Sequence, residues 1–168
     1  PYQTYGEPLL RACANHGTDY VDLCGEPLWM RDMIDRYDVA ARHSGARIVF
    51  SSGFDSVPFD LGVVMLQDEA IKRFGSPAPR VKGRVRVLKG RFSGGTAASL
   101  EGTYSAIAST PSLAERMRSA FALTPGFEGP PQPPADTPIL DRATGSWAAP
   151  FEMAGINVKN VHRTNFLL

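Results

Sequence analysis

The sequence has few of the features that mark secreted, nucleic-acid-binding or membrane-spanning proteins. Its 168 residues include two cysteines, Cys13 and Cys24, which we expect to be buried thiols in a reducing compartment. The formal net charge of +1 gives no bulk attraction to nucleic acid or to an anionic membrane surface. No apolar run approaches the roughly 20 residues that cross a bilayer, so no transmembrane segment is predicted. These absences favour a cytoplasmic location.

Motifs for zinc binding and for hydrolysis are also missing. The histidines His16, His43 and His162 are separated from each other and from the cysteines, which does not match the spacing of a zinc site. His16 and His43 each shortly precede a glycine that ends a predicted helix, so capping explains them. Ser56 lies outside a Gly-x-Ser-x-Gly turn and no histidine is placed to serve it, so a hydrolase built on Ser56 is a distant alternative.

Acidic residues invite comparison with metal and glycosidase sites. Asp22, Glu26, Asp55 and Asp60 have the carboxylates that such sites use. Their spacing is diagnostic of neither, and Asp60 is placed as an acid in the first turn of a helix. We therefore predict no metal site.

Residues 3–74 alternate between helical and strand patterns. Thr4 and Glu7 form a capping box that opens the first helix. Strands are predicted over residues 19–24 and 47–50, each followed by a helix, the last over residues 60–74. Strands that alternate with helices form βαβ crossovers and a parallel sheet. Two strands are too few for a stable doubly wound sheet, so we expect further strands outside this chain or in a partner.

The residues after 76 follow a different pattern. Prolines at 77 and 79 indicate a boundary, because they cannot continue the preceding helix. Strands are predicted over residues 80–87, 146–153 and 157–161, a helix over 97–108, and a proline-rich surface loop over 124–138. The expected fold class is α/β, with a parallel βαβ unit in residues 1–76 and an α+β unit with antiparallel strands in residues 80–168.

Residues 80–91 carry six cations that alternate with small and apolar residues. A solvated sheet face is the first interpretation, and a surface for nucleic acid or an acidic ligand is the alternative. No aromatic side chains suited to stacking on bases are interleaved with the cations, so we predict no nucleic-acid partner. Trp29 and Trp147 are predicted to be packing residues.

The most informative stretch is residues 46–62, where a strand runs through a polar loop into an apolar helix. In open α/β sheets, ligands bind beyond the carboxyl ends of the strands, where this loop lies. Gly53 lets a ligand approach the backbone, and Asp55 and Ser56 offer hydrogen-bonding groups. The alternative is that Asp55 and Ser56 cap the following helix or an Asx-turn, and the two interpretations are compatible.

Three segments are expected to meet at this edge of the sheet. The loops over residues 24–26 and 51–58 follow neighbouring parallel strands, and residues 1–2 complete the predicted cleft. A separate candidate is the turn Gly94, Gly95 and Thr96, which opens a helix whose free N–H groups can hold a carboxylate or phosphate. The alternative there is a tight turn that needs glycine for its own geometry.

Two sequence segments resemble a known family. Residues 53–62 read Gly-Phe-Asp-Ser-Val-Pro-Phe-Asp-Leu-Gly and follow Thr-Asp-Tyr-Val-Asp-Leu at 18–23. They resemble the saccharopine dehydrogenase-like oxidoreductases, and most closely the actinobacterial branch that includes trans-acting enoyl reductases; residues 1–6, 93–96 and 150–154 add to the resemblance. Saccharopine reductases carry Asp-Pro-Gly and a final Asp-His in this loop. Here Ser-Val-Pro follows Asp55 and Leu follows Asp60, so the fold carries over and the amino-acid substrate does not.

The resemblance implies a nicotinamide-dependent oxidoreductase that uses NADP or NAD to reduce a lipid or polyketide-like intermediate, as an enoyl reductase does. It implies that residues 1–76 form the C-terminal half of a Rossmann-like dinucleotide-binding domain. Residues 80–168 would begin a substrate or dimerisation domain, in a homodimer that contacts membranes peripherally at most. The family's glycine-rich turn is expected to precede Pro1, so the chain alone should bind cofactor weakly. The rival interpretation is a non-enzymatic, lipid-associated or scaffolding protein that keeps the fold.

The resemblance also implies roles for particular residues. Those expected at the nicotinamide end are Pro1, Tyr2, Gly25, Glu26, Gly53, Phe54, Asp55 and Ser56. The turn Gly94, Gly95 and Thr96 is expected to approach the substrate. Asp55 and Tyr2 are the candidate proton donors.

Overall fold

The chain folds as an alternation of helices and short strands followed by a more irregular part. A computed structural model describes residues 1–90, 93–133 and 136–168. In chain order the elements are α1 (Tyr2–His16), β1 (Tyr20–Val21), α2 (Pro27–Ser44), β2 (Ile48–Val49), α3 (Val57–Phe74), α4 (Gly94–Ser109), α5 (Ser112–Arg118), β3 (Ile139–Asp141), β4 (Ser146–Ala148) and α6 (Ala154–Leu167). The α/β class predicted from the sequence is confirmed.

β1 and β2 pair as parallel strands with α2 as the crossover between them. Tyr20 lies opposite Ile48 and Val21 lies opposite Val49. The two faces of the pair differ, because Tyr20 is buried whereas Val21 and Val49 are exposed. The parallel βαβ unit is therefore present, and one of its faces carries uncovered apolar side chains.

The apolar core lies between α1, α2 and the parallel pair. Its buried side chains are Leu10, Cys13, Tyr20, Cys24, Trp29, Met30, Met33, Ile34 and Leu123. Leu123 is the one member of this cluster that comes from beyond residue 50, so the segment after α5 closes the core. Trp29 packs against the rings of Tyr2 and Phe50, with centroid distances of 5.5 and 5.7 Å. This confirms Trp29 as a packing residue.

The helix ends follow the sequence signals. α1, α2 and α3 each end at a glycine in the left-handed region, with φ of 69° at Gly17, 80° at Gly45 and 72° at Gly75. L-residues with a Cβ avoid this conformation, so glycine is the residue that ends a helix in this way. The predicted stops at residues 17 and 45 are confirmed.

The predicted start of the first helix was wrong. α1 begins at Tyr2, two residues before Thr4, and Pro1 supplies no side-chain cap. The capping groups come from elsewhere in the fold, because the Glu26 carboxylate accepts hydrogen bonds from the first N–H groups of α1. Glu7, the other half of the predicted capping box, instead accepts a hydrogen bond of 2.6 Å from the Tyr37 hydroxyl.

α3 begins three residues earlier than the pattern indicated, at Val57, with Pro58 in its first turn. Proline is compatible with this position, where its missing N–H has no helical partner to lose. Asp60 lies in the first turn as predicted. Along the rest of α3 only Ala70 is buried, and Leu61, Met65 and other large apolar side chains are exposed.

The strand predicted over residues 80–87 is absent from the described part of the chain, where residues 79–90 have no regular structure. The alternation of basic and apolar residues there has no partner strand to pair with. Instead, Lys82 and Arg84 contact the buried carboxylate of Asp141 at 3.3 and 2.8 Å. Arg91, the last cation of the predicted stripe, lies outside the described residues.

β3 and β4 form an antiparallel hairpin, as expected for the second part of the chain. Ile139, Leu140 and Asp141 pair with Ala148, Trp147 and Ser146 respectively. β4 is shorter than the predicted strand over residues 146–153. Trp147 is 74% exposed, so the prediction that it packs in the interior was wrong.

The strand predicted over residues 157–161 is also wrong, because these residues belong to α6. This helix packs along α3, where the Thr164 hydroxyl donates a 2.7 Å hydrogen bond to Asp60. The valines that suggested a strand are compatible with a helix when one face packs on a neighbour. α6 therefore ties the end of the chain to the βαβ unit, while the division into residues 1–76 and 80–168 stays a prediction.

Cys13 and Cys24 are buried free thiols, as expected. Within residues 1–90, 93–133 and 136–168, no helix is long and apolar enough to cross a membrane. Over the same ranges, no three His, Cys, Asp or Glu residues are grouped as metal ligands would be.

Candidate functional site

The loops after β1 and β2 meet at the carboxyl edge of the parallel pair. The Ser52 N–H donates a 2.6 Å hydrogen bond to the Asp22 carbonyl, and the Ser51 hydroxyl donates one of 2.5 Å to the Cys24 carbonyl. A Cβ added to Gly53 would lie 3.3 Å from the Leu23 side chain. The sequence-based expectation that these two loops are neighbours is therefore confirmed.

A buried carboxylate holds the two loops together. Asp22 accepts hydrogen bonds from the N–H groups of Cys24 and Ser51, both at 2.9 Å, and from the Tyr20 hydroxyl at 3.0 Å. Ser51 has a φ of 52°, unusual for a residue with a side chain, and the Asp22 bond fixes it there. Burial raises the pKa of Asp22, and burial beside Asp22 also raises the pKa of Tyr20. Sequence reasoning named Asp22 only as one of four acids and gave Ser51 no role.

Tyr2 joins this edge from the start of α1. Its hydroxyl accepts a 3.1 Å hydrogen bond from the Leu23 N–H, at the end of β1. Burial is the main reason that the pKa of Tyr2 is raised, so the phenol holds its proton at neutral pH. Pro1 precedes it and is exposed. Residues 1–2, the third segment of the predicted cleft, are therefore in contact with the loop after β1.

Glu26 is the most completely bonded of the predicted site residues. Its carboxylate is 2% exposed and accepts hydrogen bonds from the Tyr2 N–H at 2.9 Å and the Gln3 N–H at 2.8 Å. The Ser99 hydroxyl of α4 donates a third, of 2.7 Å. Because the side chain is buried and engaged, it has no free oxygen pointing to solvent. The neighbouring residue Gly25 lies close to α6: a Cβ added to Gly25 would be 3.3 Å from the Ile156 side chain.

The loop between β2 and α3 combines one very exposed residue with well-ordered neighbours. Phe54 is 92% exposed, whereas Gly53 and Ser56 are buried. The Asp55 carbonyl accepts a 2.9 Å hydrogen bond from Asn157 of α6, and the Asp55 side chain is exposed. A Cβ on Gly53 would lie 2.5 Å from the Asp55 carboxylate, so glycine permits this close approach.

The alternative role of Asp55 and Ser56 as side-chain caps is only partly supported. Ser56 occupies the N-cap position of α3, but its side chain makes no capping hydrogen bond. The first N–H groups of α3 bond instead to main-chain oxygens, among them the Val57 N–H to the Gly53 carbonyl at 2.9 Å. The loop backbone therefore supplies the cap, and the Asp55 carboxylate stays accessible.

Gly94, Gly95 and Thr96 form the exposed first turn of α4. The Ser93 hydroxyl caps this turn by accepting a 3.2 Å hydrogen bond from the Thr96 N–H. No contact places the three residues directly against Tyr2 or Asp55 within the described ranges. They are linked to the edge indirectly, through Ser99 one turn further along α4 and its bond to Glu26. Sequence reasoning missed Ser99, which lies in a run of small residues without a motif.

The position of these residues identifies the general class of protein and of site. It is an α/β protein in which two loops at the carboxyl ends of parallel strands meet the start of a helix, the place where open α/β sheets bind ligands. The exposed groups at this edge are the Phe54 ring, the Asp55 carboxylate and the Leu23 side chain, and the half-buried Tyr2 phenol lies beside Leu23. Such a set offers an apolar surface next to groups that can hold or move a proton.

The chain is similar along its whole length to proteins named as enoyl reductases. It is 40% identical, over 100% of this chain and 42% of the relative, to the Mycobacterium tuberculosis (strain H37Rv) protein named "Putative trans-acting enoyl reductase Rv2449c". It is 33% identical, over 99% of this chain and 42% of the relative, to the "Trans-acting enoyl reductase" of Mycobacterium bovis (strain BCG / Pasteur 1173P2) and to that of Mycobacterium leprae (strain TN). The chain thus spans less than half the length of these curated relatives. No family model matches the chain, and no solved structure matches it.

Proposed function

We propose that this chain is part of an NAD(P)-dependent oxidoreductase of the saccharopine dehydrogenase-like family. In this proposal it reduces a carbon–carbon double bond in a lipid or polyketide-like intermediate. The observation that carries the proposal is the 40% identity over the entire chain to a protein named as a trans-acting enoyl reductase. In this proposal the activity lies at the cluster of loops at the carboxyl edge of β1 and β2.

The edge fits the nicotinamide end of a dinucleotide better than its pyrophosphate. No Gly-x-Gly-x-x-Gly turn occurs in the sequence, so the chain lacks the usual phosphate cradle. Phe54 and Leu23 are exposed apolar side chains on either side of the buried Gly53, where the Asp55 carboxylate takes the space that a Cβ would fill. In the proposal they hold the flat ring, and Pro1, Gly25 and Ser56 shape the walls around it. Glu26 contributes through the backbone it positions, since its carboxylate is already engaged.

A reduced nicotinamide, when bound, supplies a hydride to one carbon of the double bond. The chain's own part is to place the substrate and to hold a proton for the other carbon. Tyr2 is the first candidate because a phenol carries its proton at neutral pH and the Leu23 N–H fixes the position of its oxygen. Burial raises the pKa of Tyr2, so the phenol gives up this proton only to a strongly basic carbon, such as the one left by hydride transfer. Asp55 is the second candidate, as an exposed carboxylate on the same edge. Gly94, Gly95 and Thr96 are proposed to approach the substrate.

We extend the proposal to the domains and assembly. Residues 1–76 would belong to a Rossmann-like cofactor domain, and residues 80–168 to a substrate or dimerisation domain of a cytoplasmic homodimer. Size-exclusion chromatography with light scattering on the intact protein tests the dimer. A monomeric mass at micromolar concentration would contradict that part of the proposal alone.

Cofactor binding is the first test of the function. NADPH and NADH are titrated separately into the intact protein, and nicotinamide fluorescence is followed. Saturable binding is expected, and Phe54→Ala should weaken it about tenfold or less, as loss of one stacking aromatic does. Phe74→Ala is the matched control, because Phe74 is similarly exposed, at 78%, but lies at the far end of α3. Absence of saturable binding in the unaltered protein would rule out the reductase.

Turnover is the second test. NADPH oxidation is followed with a medium-chain enoyl thioester, and the product mass must rise by two hydrogens. Tyr2→Phe should lower kcat far more than it alters NADPH affinity if the phenol gives the proton, and Asp55→Asn should do so if Asp55 does. Asp68→Asn, on the exposed side of α3, is the control for a change of charge. Lipid binding without NADPH oxidation would instead support the non-enzymatic alternative.

A further inference from the structure

Glu26 links three elements that sequence analysis assigned to different roles. It lies at the N-cap position of α2, and its side chain reaches the first N–H groups of α1 and the Ser99 hydroxyl of α4. We call the four residues Tyr2, Gln3, Glu26 and Ser99 the Glu26 bridge. One carboxylate thus joins the proposed cofactor edge to the helix that carries the proposed substrate turn.

The carboxylate suits this position electrostatically. α1 has no acidic residue in its own first turn and no side-chain cap. A negative charge at a helix N-terminus is stabilised by the unpaired N–H groups and by the helix dipole. Glu26 supplies its carboxylate to this helix end from another part of the chain. Its hydrogen bonds there offset the cost of burying a side chain that is only 2% exposed.

The bridge carries the side-chain hydrogen bonding between α4 and the other elements of the described fold. Among the side-chain hydrogen bonds of residues 1–90, 93–133 and 136–168, the Ser99–Glu26 bond alone connects α4 to another helix or strand. Gly102 allows a close approach at the same interface, where an added Cβ would lie 3.4 Å from the Gln3 side chain. Apolar packing contributes little to the position of α4, because Thr103 is the one residue of this helix that is buried.

We propose that Glu26 is a positioning residue that sets where Gly94, Gly95 and Thr96 lie relative to Tyr2. Its carboxylate holds the start of α1 and the first half of α4 against one another. The Glu26 carboxylate therefore aligns the two proposed binding surfaces without itself touching cofactor or substrate. The kinetic part of this proposal rests on the proposed function, whereas the positional part does not.

Hydrogen–deuterium exchange in the intact protein tests the positional part. Ser99→Ala removes one bond of the bridge and leaves the two N–H bonds to Glu26 intact. Exchange in the first half of α4 should speed up by roughly tenfold to a hundredfold, the usual effect of losing a hydrogen bond to a charged group. Ser99→Thr, which keeps the hydroxyl, should restore protection. Ser105→Ala, an exposed serine of the same helix, is the matched control and should change nothing.

Glu26→Gln provides the second variant. The amide preserves the size of the side chain but replaces one acceptor oxygen with a donor. An NH₂ group in place of Oε1 leaves the Tyr2 N–H and the Ser99 hydroxyl without an acceptor, and one in place of Oε2 leaves the Gln3 N–H without one. Exchange should therefore increase at the start of α1 whichever oxygen is replaced. If Ser99→Ala and Ser105→Ala show equal protection in α4, the bridge does not position that helix and the proposal is wrong.

Kinetics separate a positioning role from simple support of the fold. Ser99→Ala should raise KM for the enoyl thioester severalfold while NADPH affinity stays unchanged, because the substrate turn shifts and the cofactor edge does not. A variant that merely folds less well would lose kcat in proportion to its folded fraction and keep KM. If the intact protein shows no turnover, the proposed function fails, and the exchange data still decide the role of Glu26.

Discussion

Residues 2–50 and residues 57–168 are held together by different kinds of interaction. The first region has a continuous apolar core between α1, α2 and the parallel strands. In the described part of the second region, the buried aliphatic, aromatic and sulfur side chains are Ala70, Ala122 and Leu123. That region relies more on polar links, such as Asp141 with Lys82 and Arg84.

The difference shows where the candidate site gets its rigidity. Burial of apolar area is the main stabilising contribution in folding, so the first region is able to fix the edge formed by Tyr2, Asp22 and the loop after β2. The second region reaches this edge through individual hydrogen bonds, Ser99 to Glu26 and Asn157 to Asp55. A well-packed edge approached by a less tightly held region is compatible with the proposed site, in which the second region would admit the substrate.

Apolar truncation should separate the two regions most strongly. Leu10→Ala removes a side chain that is 0% exposed and should lower the free energy of unfolding by about 2–5 kcal/mol. Leu61→Ala on α3, where Leu61 is 60% exposed, should change it by less than about 0.5 kcal/mol. Urea unfolding followed by circular dichroism measures both. Equal losses would contradict the assignment of the core to residues 2–50.

Removal of a buried carboxylate should give the next largest difference. Asp22→Ala leaves three donors without their acceptor and should cost about 1–3 kcal/mol in the free energy of unfolding. Asp60→Ala should cost less, because one Asp60 oxygen is buried with no partner among the described residues and only Thr164 bonds the other. The same urea experiment compares them, and a larger loss for Asp60→Ala would reverse the comparison.

Limited trypsin digestion tests the polar links of the second region. Trypsin should cleave within the irregular segment over residues 79–90 earlier in the digestion than it cleaves at Arg11 or Arg31 of the helical core, because proteases need an open backbone. Asp141→Asn weakens the contacts to Lys82 and Arg84 and should accelerate these cuts severalfold. Asp68→Asn, remote on α3, should leave the rate unchanged. First cuts within α1 or α2 would contradict the ranking of the regions.

The smallest effect should come from a surface ion pair of the first region. Arg47 lowers the pKa of Asp19 to about 2 through side-chain and backbone hydrogen bonds. Because the folded pKa lies below the unfolded value, the pair stabilises the fold above about pH 4, and that contribution is lost as pH falls through the folded pKa. The difference in Tm between the unaltered protein and Asp19→Asn should therefore shrink between pH 5 and about 2. A Tm difference that grows on acidification would contradict stabilisation by the ionised Asp19 carboxylate.

Much of the first region was predictable because its signals are local. Glycine stops, the proline at the start of α2 and the alternation in β1 each act through a few neighbouring residues. The start of α1 could not be predicted from local signals, because its cap is Glu26, which is 24 residues from Tyr2. Thr4 and Glu7 have the pattern of a capping box, but in the structure the N-terminus of α1 is capped by Glu26 instead.

The second region was predicted less well for a related reason. Residues 80–87 have the alternation of a strand, but an alternating segment forms a strand only when another strand offers hydrogen bonds. Residues 157–161 contain enough β-branched side chains to suggest a strand, yet packing on α3 favours the helix. Trp147 is exposed because its hairpin is not covered by another layer of the described chain. In each case a distant contact, or its absence, outweighed local preference.

The candidate site divides in the same way. The sequence determined that two polar loops follow parallel strands, and strand direction alone places such loops on one edge. The tertiary structure decided which groups remain accessible there. Asp22 and Glu26 are engaged in hydrogen bonds within the fold, whereas Phe54 and Asp55 are exposed and Tyr2 is half-buried. The sequence fixes which polar groups exist, and only packing decides which of them find partners inside the protein, because burial without a partner costs free energy.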